Sequence, residues 1–162
     1  MPSARLLTAQ RFIAHFETLD RSLLESLLHE TYTHTFHPKS IGPLSENVYD
    51  KAGFLTHGAG LSSIMTGFPV YAKEYVESES SNQVVVYATS KTHFREEVKD
   101  DGIPKEDWEY GGEYVFIFTM DDSGEQIVRC LEFLDSKATE RLIWLMERAK
   151  GNLKKQDSHL QK

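Results

Sequence analysis

The sequence predicts an α+β domain: helices first, then a meander of antiparallel strands and a closing helix. Three observations predict it. Apolar residues recur at three- and four-residue steps between Leu6 and Leu28. From Phe68 to Leu134 the period changes to two, broken by turn-forming clusters. After Ser136 the helical period returns. Such a chain is expected to form a curved antiparallel sheet with helices over one face, leaving a pocket between the layers. Its 162 residues suit one domain, residues 1–151, followed by a polar and aperiodic tail, 152–162.

The elements follow in order. Leu6, Ala9, Phe12, Ile13 and Phe16 make one helical stripe. Asp20 supplies an N-cap for a second stripe, Leu23, Leu24, Leu27 and Leu28, although Ser22 and Glu25 also have capping-box spacing. Tyr32–Phe36 is β-branched and aromatic, which predicts a short strand. Residues 38–47 carry Pro38, Gly42 and Pro43 and predict a loop. Residues 48–65 read as a helix weakened by Gly53, Gly58 and Gly60, kinked or split near Gly58 and stopped at Gly67. Strands are then expected over 68–76, 83–94, 108–120 and 126–134. A charged loop, 95–105, is able to cover an open end, and a hairpin turn falls at Asp121–Gly124. Ser136 would cap a last helix over 137–150, with Gly151 just past its end.

Composition excludes several functions. Eighteen basic against 25 acidic residues give a net charge of −7, which disfavours a nucleic-acid partner. One cysteine cannot form an internal disulfide. No apolar run approaches membrane-spanning length, and Met1–Arg5 is not followed by one, so no secretory signal or membrane partner is expected and a cytoplasmic location is. Gly-rich phosphate loops, a nucleophile elbow and a Cys/His metal framework are missing, so neither cofactor nor metal is expected.

Candidate site residues come from the strand faces. Alternation puts Val128, Cys130, Glu132 and Leu134 on one face of the last strand. A carboxylate among apolar neighbours is either paired or raised in pKa, which suits a general acid or base and equally suits a structural ion pair. Tyr110 and Tyr114 share a face of the preceding strand with Phe116 and Phe118. The phenols can donate to a substrate oxygen, while Phe116 and Trp108 would build a wall or simply fill the core. His34, His37 and Lys39 form a third group, with His34 flanked by Tyr32 and Phe36 on one strand face. Their spacing does not suit zinc, whereas histidine suits a proton shuttle or a satisfied core position. His57 is a further candidate to face the cavity, from its Gly-broken helix, and His15 and His29 read as surface or helix-end residues. Cys130 reads as a small apolar residue.

Phe16–Asp20, the leucines after it and Tyr32–His34 resemble the opening of the NTF2-like superfamily, whose members fold as cone-shaped α+β barrels. His37–Gly42, Asn47–Tyr49, Glu113–Phe116, Met120–Asp121 and Glu132–Asp135 resemble the SnoaL-like isomerases of fungal secondary metabolism, from meroterpenoid and prenylated indole alkaloid pathways. The resemblance extends to Gly151. It implies a cofactor-free enzyme, dimeric through its sheet face, that rearranges or cyclises a hydrophobic polycyclic product. It also implies an acid/base glutamate at Glu132 and substrate-orienting tyrosines at Tyr114 and Tyr110. Relatives often place an arginine near the pocket; here His34, His37 and Lys39 are the basic candidates. Isomerisation is thus the expected activity. A dehydratase pairing His34 with His57 or His93, or a non-catalytic binding or dimerisation module, are the alternatives.

Overall fold

A computed structural model describes residues 1–161; Lys162, the last residue of the predicted tail, lies outside the described residues. Helix α1 (Ala4–His15) starts where the Ser3 hydroxyl accepts the Leu6 amide at 3.0 Å, and α2 (Arg21–Leu27) where Asp20 accepts that of Leu23 at 2.9 Å. The cap is therefore Asp20, not Ser22. Strand β1 is longer than its aromatic centre suggested, Leu28–His37. The predicted loop that follows holds two 3-10 turns, Lys39–Ile41 and Pro43–Glu46.

The region read as one helix from Val48 divides differently. Val48–Asp50 forms β2, Asp50 caps α3 (Lys51–Ser62), and Met65–Gly67 forms β3. Helix α3 runs unbroken through Gly58 and Gly60. Gly67 is not a helix stop: the backbone passes so close to Glu17 that a Cβ there would overlap the Glu17 carbonyl. Strand β4 (Val70–Ser78) turns at Asn82 into β5 (Gln83–Lys91), and Thr92 separates β5 from β6 (His93–Phe94). Asn82 sits in the left-handed region, which its short amide tolerates, and its side chain donates to the Met120 and Asp121 carbonyls. Strands β7 (Gly111–Met120) and β8 (Ile127–Leu134) form the last hairpin, and α4 (Ser136–Leu160) closes the chain.

Two expectations about α4 are corrected. Asp135, not Ser136, accepts the capping hydrogen bond, from Ala138. The helix does not stop at Gly151 but continues to Leu160, because Asn152 donates to the Val98 carbonyl and to Asp100 and so ties the next turn down. One glycine costs a helix only about 1 kcal/mol, which such contacts exceed.

The sheet order is β2-β1-β8-β7-β5-β4. Every pair is antiparallel except β1 with β8, which run parallel with His34 opposite Cys130 and Phe36 opposite Glu132. Strands β3 and β6 pair separately. The concave face is buried under α1, α2 and α3, with Phe12, Phe116, Phe118 and Leu27 among the side chains fully withdrawn from water. A register shift near Met120 turns Ile127 inward and leaves Val128 half-buried, which changes the predicted face only at the start of β8. The result is the expected α+β cone: a curved, mostly antiparallel sheet wrapped around a helix-covered interior.

Candidate active site

Three strands aim polar side chains into this interior. On β8, Glu132 is buried between Cys130 and Leu134. On β1, Tyr32, His34 and Phe36 occupy alternate inward positions. On β7, Tyr114 faces inward beside Phe116, and Tyr110 lies just before the strand.

The parallel β1–β8 pairing brings His34 to Glu132. His34 Nε2 lies 2.8 Å from Glu132 Oε2, and His34 Nδ1 lies 2.6 Å from the Tyr32 hydroxyl. His34 is fully buried and Tyr32 nearly so. Burial holds the Tyr32 phenol well above its ordinary pKa, so it remains a donor. The imidazole thus joins the Tyr32 hydroxyl on one ring nitrogen to the Glu132 carboxyl group on the other. The Phe54 ring stacks on His34 at 4.0 Å and 12°, and Phe36 lies 4.5 Å away. A buried carboxylate is thus held by one aimed imidazole inside an aromatic box, an arrangement able to take up or release a proton.

The tyrosines form a second network. Ser90 on β5 donates to the Tyr114 hydroxyl at 2.9 Å, and the Tyr114 and Tyr110 hydroxyls meet at 3.1 Å. Burial pushes both phenols up in pKa, and the Glu132 charge adds to the shift in each. Both therefore stay protonated at neutral pH, and both sense Glu132. Gly112 makes the meeting possible. A Cβ there would land on the Tyr110 hydroxyl and within 2.9 Å of that of Tyr114.

The other expected residues are dispersed. His57 on α3 is half-buried beside Phe36 and Tyr49, with ring centroids 5.5 and 5.8 Å away, and burial lowers its pKa. Phe116 is core, stacked between Tyr114 and Phe118. His37 faces outward, bonded to Thr35 and stacked on Phe133. Lys39 is exposed on its 3-10 turn. Trp108 is buried against Phe94, away from Glu132 and at the edge of a cleft of about 890 Å³. The cleft runs between β6 and the charged segment 95–109. A second cavity, of about 70 Å³, lies beside His15, Leu24 and Leu55. Neither cavity borders Glu132, His34 or Tyr114. His15, expected at the surface, is buried with its Nδ1 on the Phe12 carbonyl, and desolvation lowers its pKa to about 4.

Tyr32, Ser90 and Phe54 were not singled out from the sequence. Tyr32 carried a signal, being two residues from His34 on the same strand face. Ser90 and Phe54 reach the site only through β5–β7 pairing and the packing of α3. Among the described residues no three His, Cys, Asp or Glu side chains are grouped to hold a metal ion, and no helix is long and apolar enough to cross a membrane.

No protein-family model matches the sequence, and no curated protein sequence does. Solved structures match throughout the fold. An NTF2-like protein of unknown function from Burkholderia pseudomallei K96243 is 15% identical, with a TM-score of 0.67 over 88% of this chain and 98% of that one. The chain has the NTF2-like fold. Other structures with this NTF2-like fold resemble it as much. AusH from Aspergillus nidulans is 23% identical, with a TM-score of 0.68 over 83% of this chain and 88% of its own. BvnE pinacolase from Penicillium brevicompactum is 17% identical, with a TM-score of 0.73 over 91% and 96%. A putative SnoaL-like polyketide cyclase from Jannaschia sp. CCS1 is 16% identical, with a TM-score of 0.63 over 85% of this chain and 89% of its own.

Proposed function

We propose that this chain is a cofactor-independent acid–base isomerase or cyclase of secondary metabolism, working in the cytosol on an apolar, oxygenated polycyclic compound. The observation that carries this reading is the buried His34–Glu132 pair, set in an aromatic interior within electrostatic reach of two protonated tyrosines. Glu132 would move the proton while His34 holds or returns it, and Tyr110 and Tyr114 would donate to the oxygen where negative charge develops. A rearrangement of this kind needs a base, an oxygen holder and a dry surrounding. The fold shared with a pinacolase agrees with that chemistry.

The test uses an extract from a strain lacking the gene, where the substrate accumulates. Purified protein should convert one compound to another of equal mass, and Glu132→Gln should reduce the rate by about 10²–10⁴ while circular dichroism stays unchanged. Full activity in that variant would remove the role of Glu132. Loss of one water from the compound would instead identify a dehydratase, for which His34 and His57, both beside Phe54, supply the imidazoles.

One observation favours a non-catalytic module: Glu132 is already partnered, and neither cavity reaches it. On the isomerase reading, an element over the concave face must move to admit substrate. No conversion of any compound by the wild-type protein would decide for the module.

The second part of the proposal is a homodimer through the convex sheet face. Val76, Tyr87 and Phe133 are exposed there, and the register rows Val76–Val85–Ile117–Leu131 and Tyr87–Val115–Phe133 make it apolar across four strands. Sedimentation should give twice the chain mass, and Phe133→Lys should shift it to the monomer. A monomeric wild-type protein would refute the dimer.

A further inference from the structure

Four strands of the sheet end together next to Glu132. Register sets Lys91, the last residue of β5, opposite Gly111, the first of β7. Leu134, the last of β8, pairs with Tyr114, and His37, the last of β1, pairs with Phe133. Glu132 faces inward two residues before that edge. Helix α4 starts directly after β8 and packs against β7, the 3-10 turn Lys39–Ile41 and a further one, Glu96–Val98. Farther along it, Lys150 nears α3: burial lowers the pKa of His57, and the Lys150 charge adds to the shift. The helix therefore reaches from the sheet toward α3, across the end of the cone where the carboxylate lies.

The hold of α4 on the rest of the fold is mostly polar. Of its 25 residues only Thr139, Leu145 and Ala149 are buried. Arg148 donates to both oxygens of Asp100, at 2.9 and 2.6 Å. Asn152 donates to Asp100 at 2.6 Å and to the Val98 carbonyl at 2.9 Å. Arg141 reaches the Asp107 carbonyl at 2.6 Å, and Gln156 that of Glu97. Gly102 leaves room for the Arg148 guanidinium, since a Cβ there would lie 2.3 Å from it. The receiving segment is itself fixed: Val98 and Trp108 are buried, and Arg95 donates to the Ser62 carbonyl on α3. An element with little buried apolar area and water-accessible bonds opens at a lower free energy than the core it covers.

We infer that α4 is the door of the catalytic interior: its C-terminal half lifts about the Asp135 cap, Asp100, Arg148 and Asn152 are its latch, and substrate passes beneath it to Glu132. The inference rests on the acid–base reading above and deepens it by naming the element that moves and the residues that hold it. The start of the helix stays in place, because the Asp135 amide donates to the Glu113 carbonyl at 3.1 Å and its carboxylate caps Ala138. The charged segment 95–105 is the frame on which the door closes.

The experiment uses the full chain carrying Leu134→Cys and the thiol reagent N-ethylmaleimide, with uptake read by mass spectrometry. Leu134 is buried at the strand edge that α4 crosses, and the native Cys130, fully buried farther along β8, is the internal reference. In native buffer the variant should take up one maleimide while the wild-type protein takes up none. Adding Arg148→Ala should speed the uptake about five- to tenfold, as expected for one lost charge-assisted hydrogen bond. Arg5→Ala, which breaks a comparable ion pair with Glu77 at the start of α1, should leave the rate unchanged. Urea below the unfolding transition should change the rate little, because lifting one helix exposes little surface. An unchanged rate on adding Arg148→Ala overturns the door. So does an uptake that rises with urea in step with global unfolding, or a wild-type protein that reacts as fast as the Leu134→Cys variant. Should Leu134→Cys fail to fold, hydrogen exchange takes its place: the amides of residues 145–152 should exchange about five- to tenfold faster in Arg148→Ala than in the wild type, and equal rates overturn the door. None of these readouts involves turnover, so the door and the role of Glu132 fail separately.

Discussion

The two polar networks inside the cone differ in how completely they are satisfied. Around Glu132, each polar side chain has a partner: the Tyr32 hydroxyl meets His34 Nδ1, and His34 Nε2 meets Glu132 Oε2. Around Tyr110, the hydroxyls of Ser90, Tyr114 and Tyr110 form an open row, in which three hydroxyls share two hydrogen bonds. A closed network contributes to folding, whereas an open one keeps hydrogen-bonding capacity for a ligand. On the proposed function, the contrast gives the pair on β1 and β8 more weight in stability than the tyrosine row on β7.

The largest test of this division is His34→Leu. It leaves Glu132 buried without its donor and removes the ring that Phe54 stacks on. Losing one member of a buried pair costs about 3–5 kcal/mol. Urea unfolding of the variant should show a loss of this size. A loss below about 1 kcal/mol would place the pair in wet surroundings and weaken the case for a dry site.

The second buried histidine gives the next effect. His15 has the Phe12 carbonyl as its partner, lies near Asp20 and His34, and titrates at about 4 when folded against 6.5 in the reference state. Its folded pKa is lowered, so between these values the unfolded chain binds the extra proton. Stability should therefore fall as pH drops from about 6.5 to about 4, by about 3 kcal/mol at 1.36 kcal/mol per pH unit. Unfolding free energies measured across that range should flatten in His15→Leu. An unchanged slope would assign the acid sensitivity to other groups.

How much of this was legible in the sequence depends on the range of the interaction. The face of β8 that presents Glu132, the Tyr110–Tyr114 pairing and the Asp20 cap follow from spacing within one element. The His34–Glu132 contact does not, because it depends on a parallel pairing between residues 98 positions apart. The displacement of His37 to the convex face was readable from alternation with His34, since an odd step along a strand changes sides. Helix α4 passed Gly151 through contacts with the 95–100 segment, which no local pattern encodes. His15 was misread because a polar residue at a helix end is usually exposed, yet here it packs edge-on to Phe12 and close to Phe16.

The smallest effect is also the most direct comparison of the networks, since it removes one phenolic hydroxyl from each. Tyr32→Phe leaves His34 Nδ1 buried with no partner, so it loses a hydrogen bond and creates an orphan, costing about 1–3 kcal/mol. Tyr110→Phe also loses one hydrogen bond, but Tyr114 then holds the surplus proton that the pair held before. The number of orphaned donors does not change, and the expected cost is about 0.5–1.5 kcal/mol. Parallel urea titrations should place Tyr32→Phe below Tyr110→Phe in stability by about 1 kcal/mol. If Tyr110→Phe is the less stable variant, the tyrosine network is itself closed, and the contrast between the two networks fails.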